Sequence, residues 1–344
     1  MKKRQLLKKQ IKHIDIKSFD STPMIKSMGE MAFQARNLAR AAEIYDKMVS
    51  EEDVTIILCL AGSLFSAGLK KLAIDLVRCN MVDVIVSSGA IIVDQDFFEA
   101  LGFKHYHGTP HIDDEMLRKM SIDRIYDTFI SEDDLRICDL TVTKIADSLP
   151  PRPYSSREFI KAMGEHLYKN HPEAESVILE CYKRDVPIFV PAFSDCSAGF
   201  GLICHQQKRG KAEKVTIDSA KDFLELTKIK IKTADTGLVM IGGGVPKNFV
   251  QDVTVAADVL GHQVNMHKYA IQITVADERD GALSGSTLKE AHSWGKVDSG
   301  FEQMVFCEAT IAFPLIASYV YHRKSWQKRK PKRYNRFLDE TAHP

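Results

Sequence analysis

The segment TGLVMIGGGVPKNFVQDVTVAADVLG, residues 236–261, gives the clearest indication of the fold. Its apolar start predicts a buried β-strand, its three glycines predict a turn, and the residues after them predict a helix. Backbone N–H groups at such a helix start can bind a phosphate, as they do in dinucleotide-binding proteins. The glycines lack the full GxGxxG spacing, however, and a tight turn with proline in the first helical turn explains the segment equally well. Local sequence leaves both interpretations open.

Similar strand and helix patterns lie on both sides of this segment. VTIILCLAG (54–62) and VDVIVSSGA (82–90) are apolar, β-branched runs that predict buried strands, and residues 63–80 between them predict a helix. Strands that alternate with helices predict a parallel sheet, so the fold class is α/β. The remaining predicted elements are helices at 156–170 and 174–185, strands at 187–195 and 269–277, and a strand leading into a helix over 303–326.

Both ends of the chain are basic. Residues 1–22 predict a basic arm, and residues 23–49 carry apolar residues at the spacing of one long amphipathic helix, which would form an N-terminal helical extension. Residues 327–344 predict a basic tail; a solvated helix end is the simplest interpretation, and a contact with an anionic partner or another subunit is the alternative. No linker divides the chain convincingly, so we expect a single domain over residues 23–326.

Composition excludes several classes of protein. The 47 Lys and Arg residues nearly balance the 46 Asp and Glu residues, which argues against general binding to nucleic acid. The chain has no apolar run of the roughly 20 residues that span a bilayer, and its start lacks a secretory signal. We therefore expect a cytoplasmic protein with no membrane partner. The seven scattered cysteines predict free thiols. His105, His107 and His111 lack metal-ligand spacing, so we predict no metal.

Several acidic residues fall at or near the ends of predicted strands. In an open parallel sheet, ligands bind beyond the carboxyl ends of the strands. A dinucleotide needs a carboxylate for its ribose hydroxyls, and an amine needs carboxylates for its ammonium groups. Each acid alone is explained as a turn or cap residue, but together they favour a cationic or nucleotide-bearing ligand. These residues are Asp195, Asp280, Glu290 and Glu308.

The segment EAHSWGKVDSG, residues 290–300, places Lys296 directly after Trp294 and Gly295. A lysine that forms a Schiff base must be partly neutral, and desolvation beside an aromatic ring is one way to make it so. Trp294 is also able to stack on a cation. Since most lysines are simply solvated, this segment indicates a reactive lysine without establishing one.

The same segment carries a resemblance to a known family. EAHSWGKV resembles the active-site segment EAVSWGK of deoxyhypusine synthases, and the similarity runs from about residue 23 to about 325. The resemblance implies an NAD-dependent transferase with a Rossmann-like fold, in which a mostly parallel sheet carries helices on both faces. It also implies a homotetramer with active sites at dimer interfaces. Other matching segments, in family order, are GEMAFQARNLARA, NMVDVIVSSGA, VPAFSDCSAG, MIGGGVPKNF and EATIAFPLIA.

The resemblance also implies a reaction and a set of residues. NAD takes a hydride from the carbon beside the secondary amine of spermidine, the butylamine part passes to a lysine as an imine, and an acceptor amine then takes it. Lys296 matches the imine-forming lysine, Trp294 the tryptophan of the amine channel, and Glu290 a carboxylate of that channel. The residues that match the NAD pocket are Ser63, Ser88, Gly89, Asp94, Asp195, Gly243, Glu308 and Ala309.

Three departures from the family pattern concern the substrate. Asn248 stands in place of a histidine that contacts the amine, and Phe200 and Leu283 stand in place of aspartates. An unpaired ammonium in a channel that has become apolar is strongly disfavoured. We therefore expect a changed donor, a small amine or polyamine, as in homospermidine-type synthesis. The alternatives are a true deoxyhypusine synthase, which modifies a protein lysine of a translation factor precursor, and a non-catalytic NAD-binding scaffold.

Overall fold

A six-stranded parallel sheet forms the centre of the molecule. The computed structural model describes residues 2–341, and all five strand pairings in this sheet are parallel. Its strands are β1 Val54–Leu60, β2 Val84–Ser87, β3 Ile188–Phe189, β4 Asp235–Ile241, β5 His267–Thr274 and β6 Val297–Phe306. Their order in the sheet is β3-β2-β1-β4-β5-β6, the order of a doubly wound α/β fold.

The central strands are mostly apolar because helices cover both faces of the sheet. In β1, Ile56 and Leu58 belong to one buried hydrophobic cluster, whereas Ile57 and Cys59 belong to another on the opposite face. Side chains alternate between faces along a strand, so a strand that is buried on both faces shows no polar alternation. The expected α/β class, with helices on both faces, is thereby confirmed.

The helices of seven or more residues surround this sheet. Three of the short strands, Tyr106–His107, Ile122–Ile125 and Thr128–Ser131, form an antiparallel sheet, and Pro153–Tyr154 pairs with Thr216–Ile217. The helices are Thr22–Gly29, Phe33–Ser50, Lys70–Arg78, Glu132–Ser148, Ser156–Asn170, Val177–Arg184, Ser197–Arg209, Ser219–Lys232, Gly244–Gln251, Val253–Val259, Ala309–Arg323 and Tyr334–Glu340, with a π-helix at Ala90–Phe97. Within residues 2–341, none of the helices combines the length and apolarity needed to span a bilayer.

Several element boundaries differ from the sequence prediction for local backbone reasons. The predicted long helix at 23–49 is two helices, and Phe33, at the start of the second, has a left-handed φ of 54°. The helix predicted at 63–80 begins only at Lys70, because Gly68 has a φ of 99° and interrupts the preceding turn. The strand predicted at 187–195 contains only the two residues that pair with Ile85 and Val86.

Both basic ends of the chain pack against this body. The backbone N–H of Ile11 donates to the carbonyl of His105 at 2.9 Å, and Ile16 is buried. Near the other end, the buried guanidinium of Arg329 lies 2.5 Å from the carboxylate of Asp83. Leu338 belongs to the hydrophobic cluster on one sheet face. Part of the stretch that the sequence indicates as a solvated basic tail is therefore interior.

Candidate active site

A cavity of about 430 Å³ lies where the strand order reverses, at the carboxyl ends of β1 and β4. This point in a doubly wound sheet is where ligands usually bind. Four of the predicted cofactor residues, Ser63, Gly243, Glu308 and Ala309, line it together with Ser284. The cavity volume falls within the range of small-molecule sites, roughly 300–1,000 Å³.

Glycines shape the walls of this switch-point cavity. Gly62 and Gly242 have φ values of 96° and 80°, which favour glycine. A Cβ on Gly62 would meet nothing within 4 Å, so the backbone there faces open space. A Cβ on Gly243 would lie 2.4 Å from the Cα of Ser284, so the loop that contains Ser284 packs directly on the glycine turn. The turn thus leaves backbone groups accessible beside a closely packed loop.

Glu308 has a local structural partner as well as a place in the cavity. Its carboxylate accepts a hydrogen bond from the backbone N–H of Thr310 at 2.8 Å and caps the helix Ala309–Arg323. The sequence left open whether Glu308 is a cap or a ligand-binding acid, and the structure places it where both roles are compatible. Its carboxylate is fixed at the cavity wall by this contact.

Three of the four other predicted cofactor residues, Ser88, Gly89 and Asp94, lie at or just after the end of β2. The backbone N–H of Ser88 donates to the carbonyl of Leu60 at 3.1 Å, and the Ser88 hydroxyl is buried without a partner. A Cβ on Gly89 would lie 2.6 Å from the Cys196 sulfur. Asp94 accepts a hydrogen bond from the backbone N–H of Ser197 at 2.7 Å, and burial raises the pKa of Asp94 to about 6.

The backbone around Lys296 is tightly fixed. Gly295 ends the short helix Leu288–Ser293 with a φ of 70°, a left-handed conformation that favours glycine. The N–H of Lys296 donates to the carbonyl of Ala291 at 3.1 Å, and its own carbonyl accepts from the N–H of His267 at 2.9 Å. The glycine before Lys296 is therefore explained by the turn that connects this helix to the start of β6.

The Lys296 side chain is held by a carboxylate that the sequence analysis did not identify. Its Nζ lies 2.6 Å from Oδ1 of Asp252 and 5.2 Å from the centroid of the Trp294 ring. The Lys296 side chain is 13% exposed, whereas Trp294 is 65% exposed and forms the outer wall. Asp252 follows Asn248 by four residues on one helix face, which is the only signal in the sequence that connects it with a predicted site residue.

Two adjoining cavities meet at Asp252. The first, of about 600 Å³ and mainly apolar, is lined by Lys296, Trp294 and Asp252. The second, of about 420 Å³, is lined by Asn248, Leu283 and again Asp252. Ala220 and Phe223 also line both. The structure therefore brings four of the six residues predicted for catalysis and substrate binding together around one carboxylate. These two cavities are called the lysine cavities below.

Phe200 and Glu290 lie outside the lysine cavities of the single chain. Phe200 is half exposed on the helix Ser197–Arg209, and its ring lies 5.8 Å from the guanidinium carbon of Arg136. Glu290 is exposed on the helix Leu288–Ser293, where its N–H donates to the hydroxyl of Thr287. Asp195 and Asp280 are exposed as well.

Lys247, which the sequence analysis also missed, connects the two regions. It belongs to the helix that follows the glycine turn, and burial lowers its pKa to about 8. Its Nζ donates to the Ser286 hydroxyl at 2.9 Å and to the Leu283 carbonyl at 3.4 Å. It thereby anchors the loop in which Leu283 faces a lysine cavity and Ser284 faces the switch-point cavity.

The fold and the site define a class of protein. The molecule is a doubly wound, Rossmann-like α/β protein with a ligand cavity at the switch point and a carboxylate-tethered lysine on one face of the sheet. Asp252, which contacts Lys296, lies eight residues after Gly244 of the glycine turn. Eight residues of helix correspond to a rise of about 12 Å between the two regions.

Comparison with known proteins identifies the family. The family model for deoxyhypusine synthase matches residues 23–320, so the chain belongs to the deoxyhypusine synthase family, whose members are transferases. The deoxyhypusine synthase-like protein of Chlorobaculum tepidum is 60% identical over 340 residues, covering 98% of this chain and 97% of the relative. The protein of Methanosarcina mazei named probable deoxyhypusine synthase 2 is 39% identical over 317 residues, covering 92% and 91%.

A solved structure shows the same fold. An Entamoeba histolytica protein assigned as a deoxyhypusine synthase superposes with a TM-score of 0.62 at 19% sequence identity. The match covers 93% of this chain and 99% of that chain. At this level of identity the likeness supports the architecture alone.

Proposed function

We propose that this protein is an NAD-dependent aminobutyl transferase that works through an imine on Lys296 and acts on a small amine or polyamine. The observation that carries the proposal is the setting of Lys296, a mostly buried amine that lies against an aromatic wall and opens into an apolar cavity. Enzymes that form Schiff bases place their lysines in such partly desolvated positions. A scaffold protein would need neither the cavity nor the tethered lysine.

The switch-point cavity is the proposed NAD site. Its residues fit a dinucleotide, because the open space at Gly62 lets a ligand approach the backbone closely and the Ser88 hydroxyl, at the end of β2, is buried without a partner. Ser63, Gly243, Glu308 and Ala309 would hold the cofactor. When bound, NAD would supply the acceptor for a hydride from the carbon beside the amine nitrogen.

The residues of the lysine cavities have separate tasks in this proposal. Lys296 must lose a proton before its nitrogen can attack an imine carbon. Trp294 shields the nitrogen and offers its ring face to a cationic amine. The apolar side chains of Phe223 and Val255 pack against the alkyl part of the substrate and exclude water from the reacting carbon.

Leu283 and Asn248 support a changed donor. Both line the cavity next to Lys296, where the family pattern has an aspartate and a histidine. With leucine there, a second ammonium of a long polyamine would lose its counter-ion at that point. A donor with fewer charges, such as a diamine, fits better.

Assembly into a homotetramer with sites at dimer interfaces is part of the same proposal. Phe200, Glu290 and Asp195 are exposed and line none of the three cavities described for the single chain. A partner subunit would bring such residues to a site that one chain does not complete.

The test is mass spectrometry of the products formed from an amine panel with and without NAD. We expect NAD-dependent transfer of a butylamine group to a small amine, retained in the control variant Lys289→Ala and lost in Lys296→Ala. Lys289 is an exposed lysine on the neighbouring short helix. Modification of a translation factor precursor, with no small-amine product, would instead show true deoxyhypusine synthase activity. The absence of any product would leave a non-catalytic scaffold.

A further inference from the structure

Asp252 lies at the junction of the two lysine cavities, next to Lys296. Among the described residues, it is the only acidic side chain that lines either lysine cavity. Its Oδ1 lies 2.6 Å from Nζ of Lys296, and its Oδ2 accepts a hydrogen bond from the side-chain amide of Asn248 at 2.9 Å. Both carboxylate oxygens are therefore engaged, although 32% of the side chain is exposed.

The backbone holds Asp252 rigidly at the junction of two helices. Its N–H donates to the carbonyl of Asn248 at 3.0 Å, and its carbonyl accepts from the N–H of Ala256 at 2.9 Å. The flanking residues Val250 and Val253 are fully buried. The carboxylate is thus a fixed negative charge, and Lys296 rather than Asp252 is the partner that can move away.

An amine substrate competes for this charge. A cationic amine that enters the cavity beside Lys296 finds one counter-ion there, and that counter-ion already neutralises the ammonium of Lys296. Two ammonium groups beside one carboxylate in a mainly apolar cavity repel each other, because the surroundings screen their charges poorly. The less costly arrangement pairs the carboxylate with the substrate and leaves Lys296 neutral.

Three other titratable groups lie near Lys296, and none of them replaces Asp252 as its counter-ion. Lys247 lies behind the cavity, and the charge on Lys296 contributes to the lowered pKa of Lys247, so the two ammonium groups repel. Glu290 acts on Lys247 in the opposite sense but lines neither lysine cavity. His292 lies on the adjacent helix, with Nδ1 2.8 Å from the carbonyl of Val297. Asp252 is the group that stabilises charge on Lys296 directly.

We propose that Asp252 is a counter-ion switch for Lys296. In the free protein it holds Lys296 as an unreactive ammonium. A primary ammonium group of a diamine or polyamine takes its place on the carboxylate, and Lys296 releases one proton to solvent and becomes a nucleophile. The reactive lysine is thereby produced only when a cationic amine is present. The inference rests on the proposed function in assuming an amine substrate, and Asp252 acts as a positioning residue.

The experiment measures how fast Lys296 reacts with a small amine-specific acylating reagent, followed by peptide mass spectrometry in the absence of NAD. In Asp252→Asn we expect labelling of Lys296 at pH 8 to rise about tenfold or more, since loss of a contacting opposite charge favours the neutral form. The pH at which labelling reaches half its maximum should also fall. Asp252→Glu should restore slow labelling, and the control Asp258→Asn, at an exposed acid nearby, should leave it unchanged.

A second arm uses 1,4-diaminobutane as the probe. Because the diamine also consumes reagent, labelling of Lys296 is measured relative to the exposed Lys289 in the same sample. Preincubation with the diamine should raise this ratio in the wild-type protein and leave it unchanged in Asp252→Asn. Unchanged labelling in Asp252→Asn, in protein shown to be folded by thermal unfolding, would overturn the proposal, as would a diamine effect of equal size in both proteins. Because the assay needs neither NAD nor turnover, its outcome is independent of whether group transfer occurs.

Discussion

The switch-point cavity and the lysine cavities are built in different ways. The first consists of backbone turns and small side chains at the carboxyl ends of the strands, and several residues there match the family pattern. The second consists of side chains from separate helices and a loop, and two of its residues depart from that pattern. The proposed cofactor site is thus shaped mainly by the backbone, whereas the proposed substrate site can change one side chain at a time.

The largest effect should come from breaking the switch-point cavity at Gly243. In Gly243→Ala the new methyl group would lie 2.4 Å from the Cα of Ser284, a backbone atom that moves only with its loop. We expect a loss of about 1–3 kcal/mol in the free energy of unfolding and, if NAD binds here as proposed, loss of the stabilisation that NAD binding would give. Thermal unfolding with and without NAD measures both.

The matched control for this substitution is Gly281→Ala, in the same loop. A Cβ there meets nothing within 4 Å, so this variant should keep the wild-type stability and the NAD-dependent shift. Equal behaviour of the two variants would show that the loop does not pack on the glycine turn as described.

The next effect concerns the charge of the lysine cavities, where the amine substrate is proposed to bind. Leu283→Asp adds a carboxylate to a lysine cavity, so the ratio of kcat/KM for spermidine over a diamine should rise by about tenfold. Competition between the two donors, followed by mass spectrometry, gives this ratio. Ala282→Asp, at the exposed neighbouring residue, is the control.

Phe200→Asp tests, in the same competition assay, whether the amine site is formed by one chain or completed by a partner subunit. Phe200 lines neither lysine cavity of its own chain. The single substitution Phe200→Asp should therefore change the donor preference only if a partner subunit completes the site.

A donor ratio that stays constant in Leu283→Asp would contradict the assignment of the cavity lined by Leu283 to the amine.

The last effect concerns Lys247, which joins the two regions and whose contribution to stability depends on pH. Burial lowers its pKa from 10.5 to about 8, so between these pH values the unfolded chain binds more protons than the folded protein. Stability of the wild type relative to Lys247→Met should therefore increase as pH rises from 8 to 10, by at most about 1.4 kcal/mol per pH unit. Urea unfolding at several pH values measures the difference, and Lys289→Met, at an exposed lysine, should show none.

The sequence predicts the first region far better than the second. A strand, a glycine turn and a helix are local features, so the parallel sheet and the switch-point residues follow from short segments such as 236–261. The contact between Asp252 and Lys296 joins segments on different elements. Apart from its position four residues after Asn248, nothing near Asp252 in the sequence distinguishes it from a solvated helix residue. The ion pair between Arg329 and Asp83 could not be predicted for the same reason, because the two residues are 246 positions apart in the sequence. Tertiary packing decides such contacts, and local patterns do not encode it.

The central claim is that Lys296 carries the transferred group. The most direct test incubates the protein with NAD and a donor amine, reduces any imine with borohydride, and maps the added mass by peptide mass spectrometry. We expect a butylamine addition on Lys296 that requires NAD and is absent in Lys296→Ala. Product formation with no trapped adduct, or an adduct on another lysine such as Lys247, would contradict it.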